Sequence, residues 1–217
     1  AIGADRWEVD IHGQSAPAGL HPEGGITAAL IAARAIQDVA KRGYFGKVKK
    51  HREEGTSNVG TVRGGEASNQ VTDHVFVRGE SRSHDPDLIT EITDAYRTAF
   101  EKAAASVLND RGQAGSVDFR CESDYRSFCM DENSPPVLLA MECARKMRLR
   151  PQTSIANGGL DANYLNENGI PTVTLGAGQH GQFRKGLPRR HALADTGEGE
   201  DVGQNTDDGI TDLDVPL

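Results

Sequence analysis

Several features that define large classes of proteins are missing from this 217-residue sequence. No apolar run approaches the roughly 18 residues needed to span a bilayer, and no signal-peptide pattern is visible. Acidic residues outnumber basic ones, and the net charge of −8 argues against a general nucleic-acid binder, because phosphate binding requires a basic surface. The three cysteines form no Cys-x-x-Cys pair and are typical of reduced thiols. We therefore expect a cytoplasmic protein that binds neither nucleic acid nor membrane.

Periodic patterns over residues 5–125 indicate a two-layer α+β unit. Apolar residues that alternate with polar ones predict four strands, and helical spacings predict two helices. The strands are Trp7–Ile11, Asn58–Arg63, Val71–Arg82 and Val117–Glu122, and the helices run from Ile26 to about Gly43 and from Pro86 to about Val107. Asp85 is a favourable N-cap for the second helix, and the charged stretch Lys47–Glu54 is interpreted as a solvated loop. The order βαββαβ predicts a ferredoxin-like sandwich, with helices on one face of an antiparallel sheet.

The segment that follows is too small to form a core of its own. It contains a predicted helix from Ser134 to about Arg150, a glycine turn, a helix over Asp161–Asn168 and a strand over Thr172–Leu175. This pattern is typical of the last part of a larger α/β domain. Basic residues cluster beyond Phe183, and Thr196–Leu217 holds seven acids without a lysine or arginine, so we expect a poorly structured tail.

Four segments, in order and spacing, resemble a zinc-dependent family that includes peptidase T, carboxypeptidase G, aminoacylase and succinyl-diaminopimelate desuccinylase. The segments are Ile11–Gly19, Asn58–Val71, Gly79–Ser83 and Gly158–Ala162, and the similarity extends over residues 1–183. Peptidase T-like aminopeptidases are the most similar branch. Members of this family hold two zinc ions in an α/β catalytic domain. A ferredoxin-like lid, which usually dimerises, is inserted into that domain.

The resemblance implies three parts in this chain. Residues 5–125 are the lid, residues 126–183 with 1–4 are a partial α/β catalytic domain, and residues 184–217 are a divergent tail, basic and then acidic. In relatives, the half of the catalytic domain that precedes the lid carries most of the metal ligands and the glutamate general base. We expect that half to be missing from this sequence. Whether it is a separate chain, a lost segment or the result of a reading-frame shift stays open.

The resemblance also assigns candidate substrate-binding residues. Asn69 and Arg82 match positions that hold the carboxylate end of the substrate, a task that suits the planar fork of a guanidinium. Gly158 and Gly159 match a turn that lets the backbone approach the substrate, and Asp161 follows in the same motif. Each position also has a structural alternative. These are a strand-end salt bridge for Arg82, a turn-capping amide for Asn69, a tight turn for the glycines and an N-cap for Asp161.

Two departures from the family pattern fall where its chemistry would lie. The family's last metal ligand ends a His-Gly-x-His run, and the corresponding run is His180-Gly-Gln-Phe183, so Phe183 occupies the ligand position without a lone pair to offer. The lid histidine that reaches the partner's active site is replaced by Pro17. His180 is left as a lone candidate ligand, and the one Glu-Glu pair, Glu53-Glu54, lies in the charged stretch. We therefore predict no catalytic residue in this chain and no zinc bound by it alone.

Three functions follow as hypotheses. The first is part of a zinc-dependent peptidase or amidohydrolase that cleaves peptide or N-acyl amide bonds, with this chain inactive by itself. The second is a non-catalytic module that forms a homodimer through the lid domain, with or without a separate N-terminal catalytic half. The third is a regulatory domain that binds free amino acids. The resemblance favours the first as the function of the family and leaves open whether this chain is an enzyme.

Overall fold

The computed structural model describes residues 1–176 and, as backbone, residues 212–216. Within these ranges the strands and helices are β1 (Gly3–His12), α1 (Ala28–Lys41), β2 (Gly46–Lys50), β3 (Glu53–Gly64), β4 (His74–Ser83), α2 (Pro86–Ser106), β5 (Ser116–Tyr125), α3 (Pro135–Lys146), β6 (Arg150–Ser154), α4 (Asp161–Glu167) and β7 (Asp212–Pro216). Contacts group Ala1–Cys129 with Ile155–Thr172 in a first unit, and Met130–Ser154 with Val173–Leu217 in a second. By these contacts, the glycine turn and α4 belong to the unit that contains the predicted lid.

The first unit is built on a five-stranded antiparallel sheet in the order β2-β3-β4-β1-β5. Both α1 and α2 pack against it around one hydrophobic core. Without the edge strand β2, the order of elements is the predicted βαββαβ, so the ferredoxin-like fold is confirmed. No helix in the described part of the chain is long and apolar enough to cross a bilayer.

Alternation along β1 separates the two faces of the sheet. Trp7, Val9 and Ile11 are fully buried beneath the helices, whereas Glu8 and Asp10 lie on the opposite face. This opposite face, which we call the open face, carries charged side chains from all five strands. The sequence pattern therefore gives both the strand and the side of it that is buried.

A tryptophan fills the centre of the core. The ring of Trp7 lies over Gly79 in β4, where a Cβ atom would be only 2.2 Å from it. Trp7 Nε1 donates a hydrogen bond to Ser81 Oγ (3.3 Å), and the ring centroid is 4.4 Å from that of Tyr96 in α2. The missing side chain at Gly79 thus makes room for the largest fully buried side chain.

The start of α2 follows the sequence prediction. Asp85 Oδ1 accepts a hydrogen bond from the backbone N–H of Asp87 (2.9 Å), and Pro86 occupies the first helical position. The N-cap satisfies a donor that has no partner within the helix, and proline has no N–H to satisfy. This boundary is fixed by local chemistry, which is why the sequence alone locates it.

The charged stretch Lys47–Glu54 is a β-hairpin and not the predicted loop. Val48 is fully buried, and the lysines on either side of it pair with Glu54 across the strands at 2.9 and 2.7 Å. Hydrogen bonds from these lysines lower the pKa of Glu54 to about 2. His51 and Arg52 form the turn with φ angles of 52° and 76°, the mirror-image geometry that fits the twist of a hairpin. A single apolar residue among charges is too weak a signal to predict this strand.

The described residues of the second unit form α3 and two short strands. β6 and β7 run parallel, with Arg150 opposite Asp212 and Ser154 opposite Pro216. The strand β7 corrects the expectation of a poorly structured tail for residues 212–216, and β6 begins at Arg150, where the preceding helix is predicted to end. α3 ends earlier than expected, at Lys146, and Arg148 then adopts a φ of 62° that no right-handed helix contains.

The strand predicted over Thr172–Leu175 has no regular structure. The side chain of Asn166 accounts for its first residue: Oδ1 accepts from the Thr172 N–H (3.1 Å), and Nδ2 donates to the Thr172 carbonyl (2.8 Å). One amide side chain therefore satisfies both backbone groups that a neighbouring strand would otherwise pair. The helix α4, by contrast, begins where the sequence predicts it, at Asp161.

Candidate functional site

Arg82 lies near the end of β4 on the open face of the sheet. Its Nη2 donates a hydrogen bond to Glu80 Oε2 (2.8 Å), and its side chain is 27 % exposed. Its Nε is buried and has no hydrogen-bond partner among the residues that the structure describes. The salt bridge expected as the structural alternative is therefore present, yet it leaves part of the guanidinium fork unused.

The surroundings of Arg82 keep it cationic. Burial alone would lower the pKa of its guanidinium, but the hydrogen bond to Glu80 and the nearby Tyr125 and Asp124 raise that pKa. Asp124 is itself paired with Arg6 at 3.0 Å. A partly buried cation with a fixed orientation is suited to binding a carboxylate or another planar anion.

The glycine turn lies at the same end of the sheet as Arg82. Ala4 in β1 is the register partner of both Arg82 in β4 and Tyr125 in β5, and Tyr125 contacts the glycine turn. A Cβ atom at Gly159 would be 2.1 Å from the Tyr125 ring, whereas at Gly158 it would meet no atom within 4 Å. Packing therefore explains Gly159, and it leaves the backbone at Gly158 accessible.

A hydrogen bond joins the turn to the chain just after β4. His84 Nε2 and Asn157 Oδ1 are 3.0 Å apart. Sequence reasoning missed both residues, because neither occupies a position that a helical or strand period marks. The bond connects the turn to the end of the strand that carries Arg82, two residues further along the chain.

Asp161 does not act as the N-cap of α4, which corrects its structural interpretation. It is the first helical residue, and the cap position is Leu160, whose N–H donates to Asn163 Oδ1 (3.0 Å). Asn163 also donates to the carbonyls of Ile2 (3.0 Å) and Arg126 (2.7 Å). The buried residue that organises this helix is therefore Asn163, which the sequence analysis did not single out.

Asn69 lies at the other end of β4 from Arg82. It is in the loop before the strand, where its carbonyl accepts a hydrogen bond from the N–H of Ala18 (2.9 Å), next to Pro17. From His74 to Arg82 the strand extends over roughly 26 Å, at about 3.3 Å per residue. A single chain therefore does not bring Asn69 and Arg82 to the same carboxylate.

The described residues do not fit a two-zinc centre. Within residues 1–176, no group of three or more His, Cys, Asp or Glu side chains is arranged to hold a metal ion. A paired centre requires several such ligands around two cations. The candidate His180 and the family ligand position at Phe183 lie outside the described residues.

A groove of about 600 Å³ lies on the open face beside Glu80. The charged residues that line it are Arg6, Arg78, Arg120, Glu8, Glu80 and Glu122. Arg78 pairs with Glu8 at 2.6 Å, so part of this charge is internally compensated. From the sequence, these residues are indistinguishable from the ordinary solvent face of a strand, and the sequence analysis did not identify the groove.

A family model and a curated protein match this chain. Residues 2–107 match the model described as the peptidase dimerisation domain. The uncharacterised protein YqjE of Bacillus subtilis (strain 168) is 33 % identical over 168 residues, which are 77 % of this chain and 42 % of that protein. The chain therefore spans less than half the length of this relative.

Solved structures of peptidases match this chain over a similar share of its length. A tripeptidase from Staphylococcus aureus subsp. aureus Mu50 is 32 % identical with a TM-score of 0.67, covering 78 % of this chain and 42 % of that one. Aminopeptidase PepT from Bacillus cereus ATCC 10987 is 29 % identical with a TM-score of 0.65, over the same shares of 78 % and 42 %. An amidase of the hydantoinase/carbamoylase family from Burkholderia vietnamiensis, 24 % identical with a TM-score of 0.59 over 76 % of this chain and 37 % of that one, shares the fold.

Proposed function

We propose that this chain supplies the lid of a metal-dependent peptidase of the peptidase T type, because its residues 2–107 match the model of the peptidase dimerisation domain. The observation that carries the proposal is the match of 78 % of the chain, lid and following segment together, to a tripeptidase and an aminopeptidase. The proposed reaction of the whole enzyme is hydrolysis of a peptide bond in a short peptide. N-acyl amino acids are the alternative substrates.

Arg82 is the proposed anchor for the carboxylate end of the substrate. Its partial exposure and its hydrogen bond to Glu80 support this role, because an oriented guanidinium can bind a carboxylate through two parallel hydrogen bonds. The backbone at Gly158 lies at the same end of the sheet and is open to a second chain. Asp161, exposed in the first turn of α4, is the remaining polar candidate nearby.

The position of Asn69 supports a dimeric site. Since Asn69 and Arg82 lie at opposite ends of β4, we propose that the Asn69 end of one subunit belongs to the substrate site of the other. Dimerisation is also the role that the name of the matched family gives to this domain. The remaining catalytic half is then a separate requirement, because the described residues contain no group suited to the paired metal centre.

A hydrolysis assay tests the activity proposal. The purified chain is incubated with tripeptides and with N-acyl amino acids in the presence of Zn²⁺, and released amino acids are measured by mass spectrometry. We expect no turnover by the chain alone. Turnover that co-purifies with the chain through two further columns, and that Arg82→Ala lowers, would show that the chain is itself an enzyme.

Sedimentation and ligand binding separate the remaining hypotheses. We expect a dimer in sedimentation velocity at micromolar concentration, and a monomer at all concentrations would contradict the dimeric site.

Thermal shift with tripeptides and with free amino acids distinguishes a peptide site from a regulatory domain, because a specific ligand raises the midpoint by mass action. A shift by tripeptides that Arg82→Ala removes supports the carboxylate anchor. A shift by one free amino acid alone supports the regulatory alternative.

A further inference from the structure

Two histidines face each other on the open face, at the end of the sheet opposite to Arg82. His12 in β1 and His74 in β4 are register partners, and their ring centroids lie 5.5 Å apart with the planes inclined by 36°. Their side chains are 47 % and 50 % exposed, so that ions in solution reach both rings. The function proposed above uses neither residue.

Each of these imidazoles is oriented by its own carboxylate. His12 Nε2 lies 3.2 Å from Asp118 Oδ2, and His74 Nε2 lies 3.0 Å from Asp10 Oδ1. Among the hydrogen bonds of residues 1–176, none involves the Nδ1 atom of either histidine. Histidines that bind metals show this arrangement, in which a carboxylate holds one ring nitrogen and the ion takes the other.

The spacing of the two rings fits a single shared ion. An ion roughly 2.0–2.1 Å from a ring nitrogen is roughly 3.2 Å from the ring centroid, and two such centroids around a tetrahedral ion are roughly 5.2 Å apart. The observed 5.5 Å is within a few tenths of an ångström of this value. Because the described residues provide no group of three or more ligands, water would complete the coordination. Imidazole ligands favour Zn²⁺, Cu²⁺ and Ni²⁺ over Mg²⁺ and Ca²⁺.

We propose that His12 and His74 together bind one divalent transition-metal ion through their Nδ1 atoms. This site differs from the paired zinc centre of the family. The expectation that the chain alone binds no zinc concerns the ligands of that paired centre. Within one chain it is also separate from the proposed carboxylate anchor, because the length of β4 lies between them. The test below uses binding and not turnover, so its outcome leaves the proposed peptidase function unaffected.

The experiment is a metal titration of the full chain, produced without a histidine tag and stripped with EDTA. Isothermal titration with ZnCl₂ should show one ion per chain at this site, and the electron paramagnetic resonance spectrum with CuCl₂ should show coupling to two nitrogen nuclei. His12→Gln and His74→Gln should each remove the bound ion. Asp118→Asn should weaken binding about 10-fold, because it removes the carboxylate that orients His12. Circular dichroism of the metal-free variants shows that they are folded.

His21 provides a matched control. Its side chain is 54 % exposed, but its two ring nitrogens lie against Glu23 and Asp110 at 2.8 and 3.3 Å, so His21→Gln should leave binding unchanged. His180→Gln and His191→Gln control for histidines outside the described residues. The proposal is overturned if the wild type binds no ion, if its copper spectrum shows fewer than two nitrogens, or if binding survives in both His12→Gln and His74→Gln. Loss of binding in His180→Gln or His191→Gln also overturns it.

Discussion

Gly79 shows how one residue without a side chain determines the packing of a core. A methyl group at this position would be 2.2 Å from the Trp7 ring, and backbone and buried helices surround that ring. We predict that Gly79→Ala lowers the free energy of unfolding by about 1–3 kcal/mol, the usual cost of overpacking. Urea denaturation followed by Trp7 fluorescence measures it. Gly60→Ala in the adjacent strand is the control, because its nearest neighbour would be 3.7 Å away, and an equal loss there would contradict the explanation.

Asp5 makes the stability of the first unit depend on pH. Burial raises the pKa of this carboxyl above its ordinary value, although hydrogen bonds from Thr93, Cys121 and Ser123 act in the opposite direction. The folded state therefore binds the proton more tightly than the unfolded state does. As a consequence, the free energy of unfolding falls as pH rises from the ordinary value of about 3.9 through the raised pKa.

Asp5→Asn should remove this loss. The variant keeps an acceptor for Thr93 but has no charge to bury. We therefore predict that it is more stable than the parent at pH 7, and that this advantage is smaller at pH 4. Urea unfolding at the two pH values measures the difference. Asp94→Asn, at a side chain that is 62 % exposed on α2, is the control and should show a smaller change. A variant less stable than the parent at pH 7 would contradict the prediction.

At the scale of elements, the sequence predicts what local chemistry determines. β1 and α2 follow from alternation around Trp7 and from the cap at Asp85, because each signal lies within a few neighbouring residues. The hairpin at Lys47–Glu54 was wrongly interpreted, since its pairing depends on β3 lying alongside. Similarly, the side chain of Asn166 replaces the expected strand at Thr172, and no spacing rule describes that contact. A local sequence pattern does not predict elements whose stability comes from partners far away in the sequence.

The β2–β3 hairpin is closed by two residues that are poorly suited to its turn. His51 and Arg52 have φ angles of 52° and 76°, a region that costs non-glycine residues roughly 1–2 kcal/mol each. We predict that the double variant His51→Asn, Arg52→Gly raises the free energy of unfolding by about 1–2 kcal/mol, because Asn-Gly is the preferred pair for this turn. Thermal and urea unfolding measure the gain.

Gly46, the first residue of β2, provides a control in which a substitution adds backbone strain to the same hairpin. Its φ is 76°, and a Cβ atom there would meet nothing within 4 Å. Gly46→Ala should therefore lower stability by about 1 kcal/mol through backbone strain alone. The prediction is contradicted if the turn variant is no more stable than the parent while Gly46→Ala is destabilising. Contacts of His51 and Arg52 would then offset the strain of their positive φ angles.

On the scale of the whole first unit, one amide joins segments that are far apart in the sequence. Asn163 donates to Ile2, 161 residues away, and to Arg126, 37 residues away. The sequence predicts helix α4 but not this link, because a polar residue in a short helix looks like surface. The candidate site is affected in the same way. Its residues were identified by resemblance, whereas the separation of Asn69 from Arg82 by the length of β4 required the structure.

Loss of this amide should release α4 from the sheet. Asn163→Ala leaves the buried carbonyl of Ile2 and the partly buried carbonyl of Arg126 without their donor, so we predict a loss of about 2–4 kcal/mol in the free energy of unfolding. Hydrogen exchange should accelerate over Asp161–Glu167 before it does so in β1. Asn168→Ala is the control, since Asn168 is exposed and its side chain donates to the carbonyl of Tyr164 one turn back, and it should change stability by about 0.5 kcal/mol or less. Equal effects of the two variants would mean that α4 is held by its apolar contacts, and that Asn163 satisfies the two carbonyls without anchoring the helix.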